Sequence, residues 1–254
     1  MKPVLITMPH SHFCEKARWA LDLAGIDYLE EAHPPVFHWL ATLRRGGRSV
    51  PVLVHNGTSY ADSTDILLHV DGLGAKLYPH EPDLRNEAIR LEEEFDKTLG
   101  PHARRWAYAQ LLPHSALLLK AMTPGTAGFE RALLPVMLPI AKQLIRKSLR
   151  ISRENALRSL DLVDQVFGQV GQKLRDGSVY LVGNRFTAAD LTFASLAAPV
   201  LLPPQYRGHM PELNEIPRPM RDEIVRLRET VAGRYALRLF AEHRQPRLGA
   251  VNGA

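Results

Sequence analysis

The chain has 254 residues, 45% of them hydrophobic and 23% charged, a balance that excludes a disordered or fibrous chain and is enough for one large or two modest globular domains. A single cysteine rules out an internal disulfide framework and suits a reducing compartment. The net charge of +5 is scattered through helical segments and forms no basic tail, which favours anionic small molecules over nucleic acid as partners.

The sequence opens on Met-Lys-Pro-Val-Leu-Ile and passes into a strand over 3–8 without the apolar core of a signal peptide. The most apolar tract, Ala132 to Ala141, is ten residues long and holds two prolines, too short to span a bilayer. A cytoplasmic protein without a membrane partner is expected. From Phe13, apolar residues fall at 13, 17, 20, 21 and 24, which predicts a helix over 12–25. The turn before it carries Ser11, three residues ahead of Cys14, where the first helical N–H groups are unpaired and the helix dipole is positive. Ser11 reads either as an N-cap or as a hydroxyl facing an anion. Cys14 reads either as a small packing residue or as a thiolate candidate. Lys16 and Arg18 read as solvated surface charges, and Trp19 as packing. His10 and His12 flank Ser11 but lack a third ligand at useful spacing, so no metal is expected.

A second strand is predicted over 27–31, completing a parallel β-α-β unit, and a short helix over 36–45 ends at Gly46-Gly47. Two extended runs then flank Asn56-Gly57, the signature of a tight hairpin, with Pro51 at a strand start. Asp62-Ser63-Thr64-Asp65 caps a third helix, closed by Gly72 and Gly74. The prolines and charges of 79–86 predict a linker between a domain over 1–78 and an all-helical domain over 87–254. Helices are expected at about 83–98, 102–121, 128–148, 152–175, 187–201 and 217–242, the last broken near Gly233, with a frayed end over 244–254. Prolines at 113, 124, 135 and 139 are expected to break the 100–150 segment. Thr187 with Asp190 forms a capping box, and Phe186 with Leu191 a hydrophobic staple.

Taken in order, the Ser11 turn, Val50-Pro51, Asp62-Ser63 and the Phe186-Thr187-x-x-Asp190 box make the sequence resemble the cytosolic glutathione transferases. The resemblance implies a thioredoxin-like α/β domain followed by an all-α domain. It implies glutathione as co-substrate, a hydrophobic electrophilic small molecule as second substrate, a homodimer and a role in detoxification. It makes Val50-Pro51 a cis peptide whose first residue pairs with the glutathione backbone. It sets Asp62 and Ser63 on the γ-glutamyl end, Phe13 among the binding residues, and Arg48, with His38 and Arg45, as candidates for the glycyl carboxylate. Ser11 then donates a hydrogen bond to the glutathione sulfur, and the electrophile is expected between the domains near His12, Trp106 and Tyr108. Glutathione-dependent isomerase, dehalogenase or lyase chemistry, and a non-catalytic binding protein of this fold, are the alternatives. Cys14 facing the sulfur would instead imply thiol–disulfide chemistry.

Overall fold

In the computed structural model residues 2–244 are described. A four-stranded sheet has β1 (Val4–Thr7), β2 (Leu29–Ala32), β3 (Val52–His55) and β4 (Thr58–Tyr60) in the order β2-β1-β3-β4. β1 and β2 run parallel, joined by α1 (His12–Leu23), and the β3–β4 hairpin is antiparallel to β1. The second strand begins at Leu29, later than the 27–31 expected, because Gly25 (φ 65°) and the residues after it form the turn out of α1. Asn56 and Gly57 both take positive φ, the geometry that matches hairpin twist. Helices α2 (Phe37–Leu43) and α3 (Ser63–Val70) complete the first domain.

The chain then leaves α3 through a wide turn over Asp71–Ala75 and enters eight further helices. They are α4 (Pro82–Lys97), α5 (Leu99–Leu111), α6 (Ser115–Met122), α7 (Gly128–Ser148), α8 (Arg153–Lys173), α9 (Ala188–Leu201), α10 (Arg218–Glu229) and α11 (Val231–His243). With Pro82 in its first turn, α4 begins inside the 79–86 stretch read as linker; proline is favoured there because its missing N–H has no intrahelical partner. The single helix expected over 102–121 is two, split at Pro113. Pro135 and Pro139 do not break α7: both lie on its exposed side, where water can satisfy the carbonyls they leave free. The last pair of helices divides at Thr230, whose hydroxyl accepts the Gly233 N–H at 2.9 Å. Glycine is required at 233 for another reason, since a Cβ there would lie 1.9 Å from the Leu227 carbonyl oxygen.

Helix α9 is buried along its whole length and forms the axis of the second domain, against α1, α4, α5 and α11. An apolar sequence with no polar face can be stable only in such a position. Its start is held as the capping box predicts. The Thr187 N–H and hydroxyl donate to Asp190 Oδ2 at 2.7 and 2.9 Å, and the Leu181 N–H and the Tyr235 hydroxyl donate to Oδ1. Phe186 packs on Trp19 and His243.

Packing α1 between the sheet and the helical domain leaves it no solvent face, so Lys16 and Arg18 are not surface charges. Lys16 is fully buried on Glu92 and Asp96 at 2.9 and 2.7 Å, and Arg18 is buried on Glu30 at 2.7 Å. Trp19 is core, its indole N–H donating to the His243 carbonyl. Of the end expected to fray, Arg244 is buried and paired with Glu15 and Asp22, at 2.7 and 2.8 Å. Residues 245–254 lie outside the described residues.

Candidate functional site

The register of the sheet gathers the candidate residues. Pairing Ile6 with Val52 sets the start of β3 beside the end of β1, and pairing Leu53 with Tyr60 brings the end of β4 to the same edge. Three features therefore meet at one end of the sheet: the Met8–Ser11 turn, the Val50–Pro51 peptide, which is cis, and the Asp62–Ser63 start of α3. Arg48 is exposed in the loop leading to Pro51.

Ser11 is the N-cap of α1, its Oγ accepting the Cys14 N–H at 3.3 Å. That bond uses the oxygen as acceptor and leaves the hydroxyl proton free to donate elsewhere. The backbone N–H groups of His12 and Phe13 enter no described hydrogen bond, as expected of a first helical turn. The Phe13 ring itself packs on α5: a Cβ at Gly100 would lie 2.6 Å from it. Cys14 is fully buried behind the turn, 3.4 Å from the Met8 nitrogen, and burial pushes its thiol up from the ordinary value. At the start of α3, Asp62 is exposed and caps the helix through the Thr64 N–H at 2.8 Å, while Ser63 is buried. Asp96, which the sequence reading overlooked, reaches there from α4 and accepts the Thr64 hydroxyl at 3.1 Å.

The turn is supported from behind by the loop after α9. The Tyr206 hydroxyl donates to the His10 carbonyl, and the His209 N–H donates to the Pro9 carbonyl. Glu15, buried on α1, accepts the backbone N–H groups of Arg207 and Gly208 from the same loop. No motif announces this loop in the sequence.

Ser11 also lies on the wall of a cavity of about 780 Å³ between the domains. Helix α5 contributes Arg104, Ala107, Tyr108 and Leu111, spaced as one helical face. Trp106 is on the opposite side of α5, buried in the core, so the expectation that it lines the pocket is corrected while those for His12 and Tyr108 are kept. The long 100–150 segment supplies much of the rest through α6 and α7. It is tied to the first domain by an Ala32–Thr126 bridge, by His33 to Glu130 at 2.8 Å, and by the Phe37–Phe129 ring contact. Val36 at the cavity takes φ 80°, a conformation that costs a β-branched residue about 1–3 kcal/mol.

Four histidines line this cavity, and burial holds all of them below the ordinary imidazole value: His10 at about 4, His12 at about 3 and His38 at about 4, with His209 lowered as well. His12 Nε2 lies 3.0 Å from the Gly100 carbonyl, so it carries the proton and donates. His10 Nε2 lies 2.6 Å from the Tyr108 hydroxyl, whose own titration burial pushes up. His38 is on the cavity wall, while Arg45 and Arg48 are in the loop that leads to Pro51. These shifts also predict a pH dependence. Between about pH 6.5 and 4 the unfolded chain binds protons that the folded chain refuses, so stability falls as pH falls through that window. For His10, His12 and His38 together the upper bound is about 4 kcal/mol per pH unit. Urea unfolding midpoints measured between pH 7 and 4.5 check the sign; a midpoint that is flat or rises toward acid contradicts it.

Two family models match the chain. Residues 5–79 match the glutathione S-transferase N-terminal domain, and residues 133–234 match the glutathione S-transferase C-terminal domain. The chain belongs to the glutathione S-transferase family. Its two domains, the thioredoxin-like sheet and the helical bundle, are those of a glutathione transferase-like enzyme. Solved structures repeat the fold at low identity. The β-etherase LigF of Sphingobium sp. strain SYK-6 is 18% identical with a TM-score of 0.60, over 94% of this chain and 99% of that one. A glutathione S-transferase from Xanthobacter autotrophicus Py2 is 16% identical with a TM-score of 0.61, over 97% and 95%. The theta class enzyme of Xanthomonas axonopodis pv. citri, solved with glutathione bound, is 17% identical with a TM-score of 0.52, over 93% and 97%. No curated protein matches the chain. Among the described residues no group of side chains is placed to hold a metal ion, and no helix is long and apolar enough to cross a membrane.

Proposed function

We propose that this chain is a glutathione transferase in which Ser11 activates the glutathione thiolate for attack on an electrophilic small molecule. The observation that carries the reading is the double position of Ser11. It stands at the sheet end shared by Val50-Pro51 and Asp62-Ser63, and on the wall of the interdomain cavity. In this reading the Val50 backbone pairs with the glutathione backbone next to Pro51. The γ-glutamyl carboxylate sits on the N–H groups and Ser63 hydroxyl at the start of α3, where a helix N-terminus favours an anion. Asp62 takes the ammonium group, with Asp96 as a second carboxylate nearby. Arg48 takes the glycyl carboxylate. The contribution of Phe13 is its backbone N–H, since its ring is occupied by Gly100.

The chemistry follows from the turn. The thiol proton passes to solvent water, and the Ser11 hydroxyl donates to the thiolate left behind, supported by the open N–H groups and dipole of α1. The sulfur electron pair forms a bond to carbon as the bond from that carbon to the leaving group breaks, its pair departing with the leaving group. Cys14 takes no part because it is buried and protonated. Cytoplasmic location and a homodimer belong to the same reading; the free thiol and the exposed Leu68 and Leu73 beside α3 support them. Specialised isomerase, dehalogenase or lyase chemistry would use the same thiolate.

The test is retention on immobilised glutathione, followed by a panel of aryl halides, benzyl halides and epoxides. Retention with turnover of at least one electrophile is expected. No retention contradicts the reading and favours a binding protein of this fold.

A further inference from the structure

The cavity beside Ser11 is lined largely by apolar side chains, but its charge is one-sided. Arg104, Lys147 and Arg150 line it, and none of its lining residues is an aspartate or glutamate. Lys147 and Arg150 are exposed at the end of α7 and are screened by water. Arg104 differs from them. It projects from the α5 face that carries Ala107, Tyr108 and Leu111, and it has no ion-pair partner among the described residues. Its Nε is buried without a hydrogen-bond acceptor. Its guanidinium carbon lies over the Phe13 ring, 5.9 Å from the ring centre. Other inward-facing cations of this protein are matched with carboxylates: Lys16 with Glu92 and Asp96, Arg18 with Glu30, and Arg244 with Glu15 and Asp22. A half-buried guanidinium with a stranded N–H costs stability unless an acceptor arrives.

We propose that the second substrate is an amphipathic anion, an apolar electrophile bearing a carboxylate that Arg104 receives. This rests on the glutathione transferase reading and adds the substrate class. The geometry separates this anion from those of glutathione. The residues expected to hold the charged ends of glutathione, Asp62, Ser63 and Arg48, do not line the cavity, which glutathione meets at Ser11. The electrophile enters with its carboxylate toward α5 and its apolar body against Leu111, Leu118 and Met122, which holds the reacting carbon toward Ser11. Arg104 is therefore a specificity residue that touches the unreactive end of the substrate.

The experiment compares para-(chloromethyl)benzoate with its uncharged methyl ester. In both, the glutathione sulfur forms the new bond to the benzylic carbon and chloride leaves with the bonding pair. The native chain is expected to favour the carboxylate in kcat/KM by roughly ten- to a hundredfold, the range of a charge-assisted hydrogen bond. Arg104→Gln should collapse that ratio toward one, Arg104→Lys should retain part of it, and Lys147→Gln should change it less than threefold. Calorimetric binding of phenylbutyrate against phenylbutyramide reads the same preference without turnover. If neither chloride reacts and the chain is not retained on glutathione, but phenylbutyrate still binds better than its amide through Arg104, the transferase reading fails and anion recognition stands. A ratio near one in the native chain, a ratio untouched by Arg104→Gln, or an Arg104→Gln variant whose main change is a raised KM for glutathione overturns the inference.

Discussion

Replacing Asp190 with alanine is expected to destabilise the protein by roughly 3–6 kcal/mol, read as a shift of the urea unfolding midpoint at pH 7. The carboxylate is fully buried and accepts from four donors on three segments: the Thr187 N–H and hydroxyl at the start of α9, the Leu181 N–H in the preceding loop, and the Tyr235 hydroxyl on α11. Alanine strands those donors where water does not reach, at about 1–3 kcal/mol for each one left unmet. Because α9 is the axis of the helical domain and packs on α1, the loss falls on the whole protein rather than on one helix end. Against a total stability of about 5–15 kcal/mol, such a loss leaves a marginal fold. An amide in place of the carboxylate keeps the shape and one acceptor oxygen, so Asp190→Asn should fall between native and Asp190→Ala. A loss below about 1 kcal/mol for Asp190→Ala would show that the carboxylate does not fasten α9 to its neighbours.

The second large effect concerns activity. Ser11→Ala is expected to lower kcat/KM for conjugation by roughly ten- to a hundredfold, on the order of the 1.5–3 kcal/mol of a hydrogen bond to an ion. The variant also loses a helix cap, since Ser11 holds the Cys14 N–H. A capping residue contributes about 1 kcal/mol of stability, which appears in the unfolding midpoint and not in kcat. Ser11→Thr retains both the cap and the hydroxyl and should recover most of the rate. Cys14→Ala should leave conjugation within about threefold of native, because the thiol is buried and held protonated.

Local rules explain most of what the sequence showed. The Asn56-Gly57 hairpin, the Asp62 cap and the Thr187–Asp190 box are short-range devices whose chemistry is complete within a few residues, and each appears in the structure where the residues put it. What failed was long-range. Helical spacing marks Lys16 and Arg18 as polar and so assigns them to water. Only the tertiary fold around α1 reveals that Glu92 and Asp96 from α4 and Glu30 from β2 meet them. Trp106 and Tyr108, both expected at the pocket, are two residues apart and so stand on opposite sides of α5; only the tertiary packing shows which of them faces the cavity. Arg104 carried no signal at all in the sequence. It becomes distinctive through what surrounds it, a cavity wall without a carboxylate, and it lies within 80–132, between the stretches that match the two family models.

The most direct measurement of the central claim is an ultraviolet titration of the glutathione thiol bound to the protein, with Ser11 and with alanine in its place. If the Ser11 hydroxyl stabilises the thiolate, the bound thiol should titrate at least about one pH unit below its ordinary value near 8.5, and Ser11→Ala should return it upward by about one unit or more with glutathione affinity little changed. A bound thiol that titrates at the same pH in both proteins would contradict that role and remove Ser11 from the chemistry.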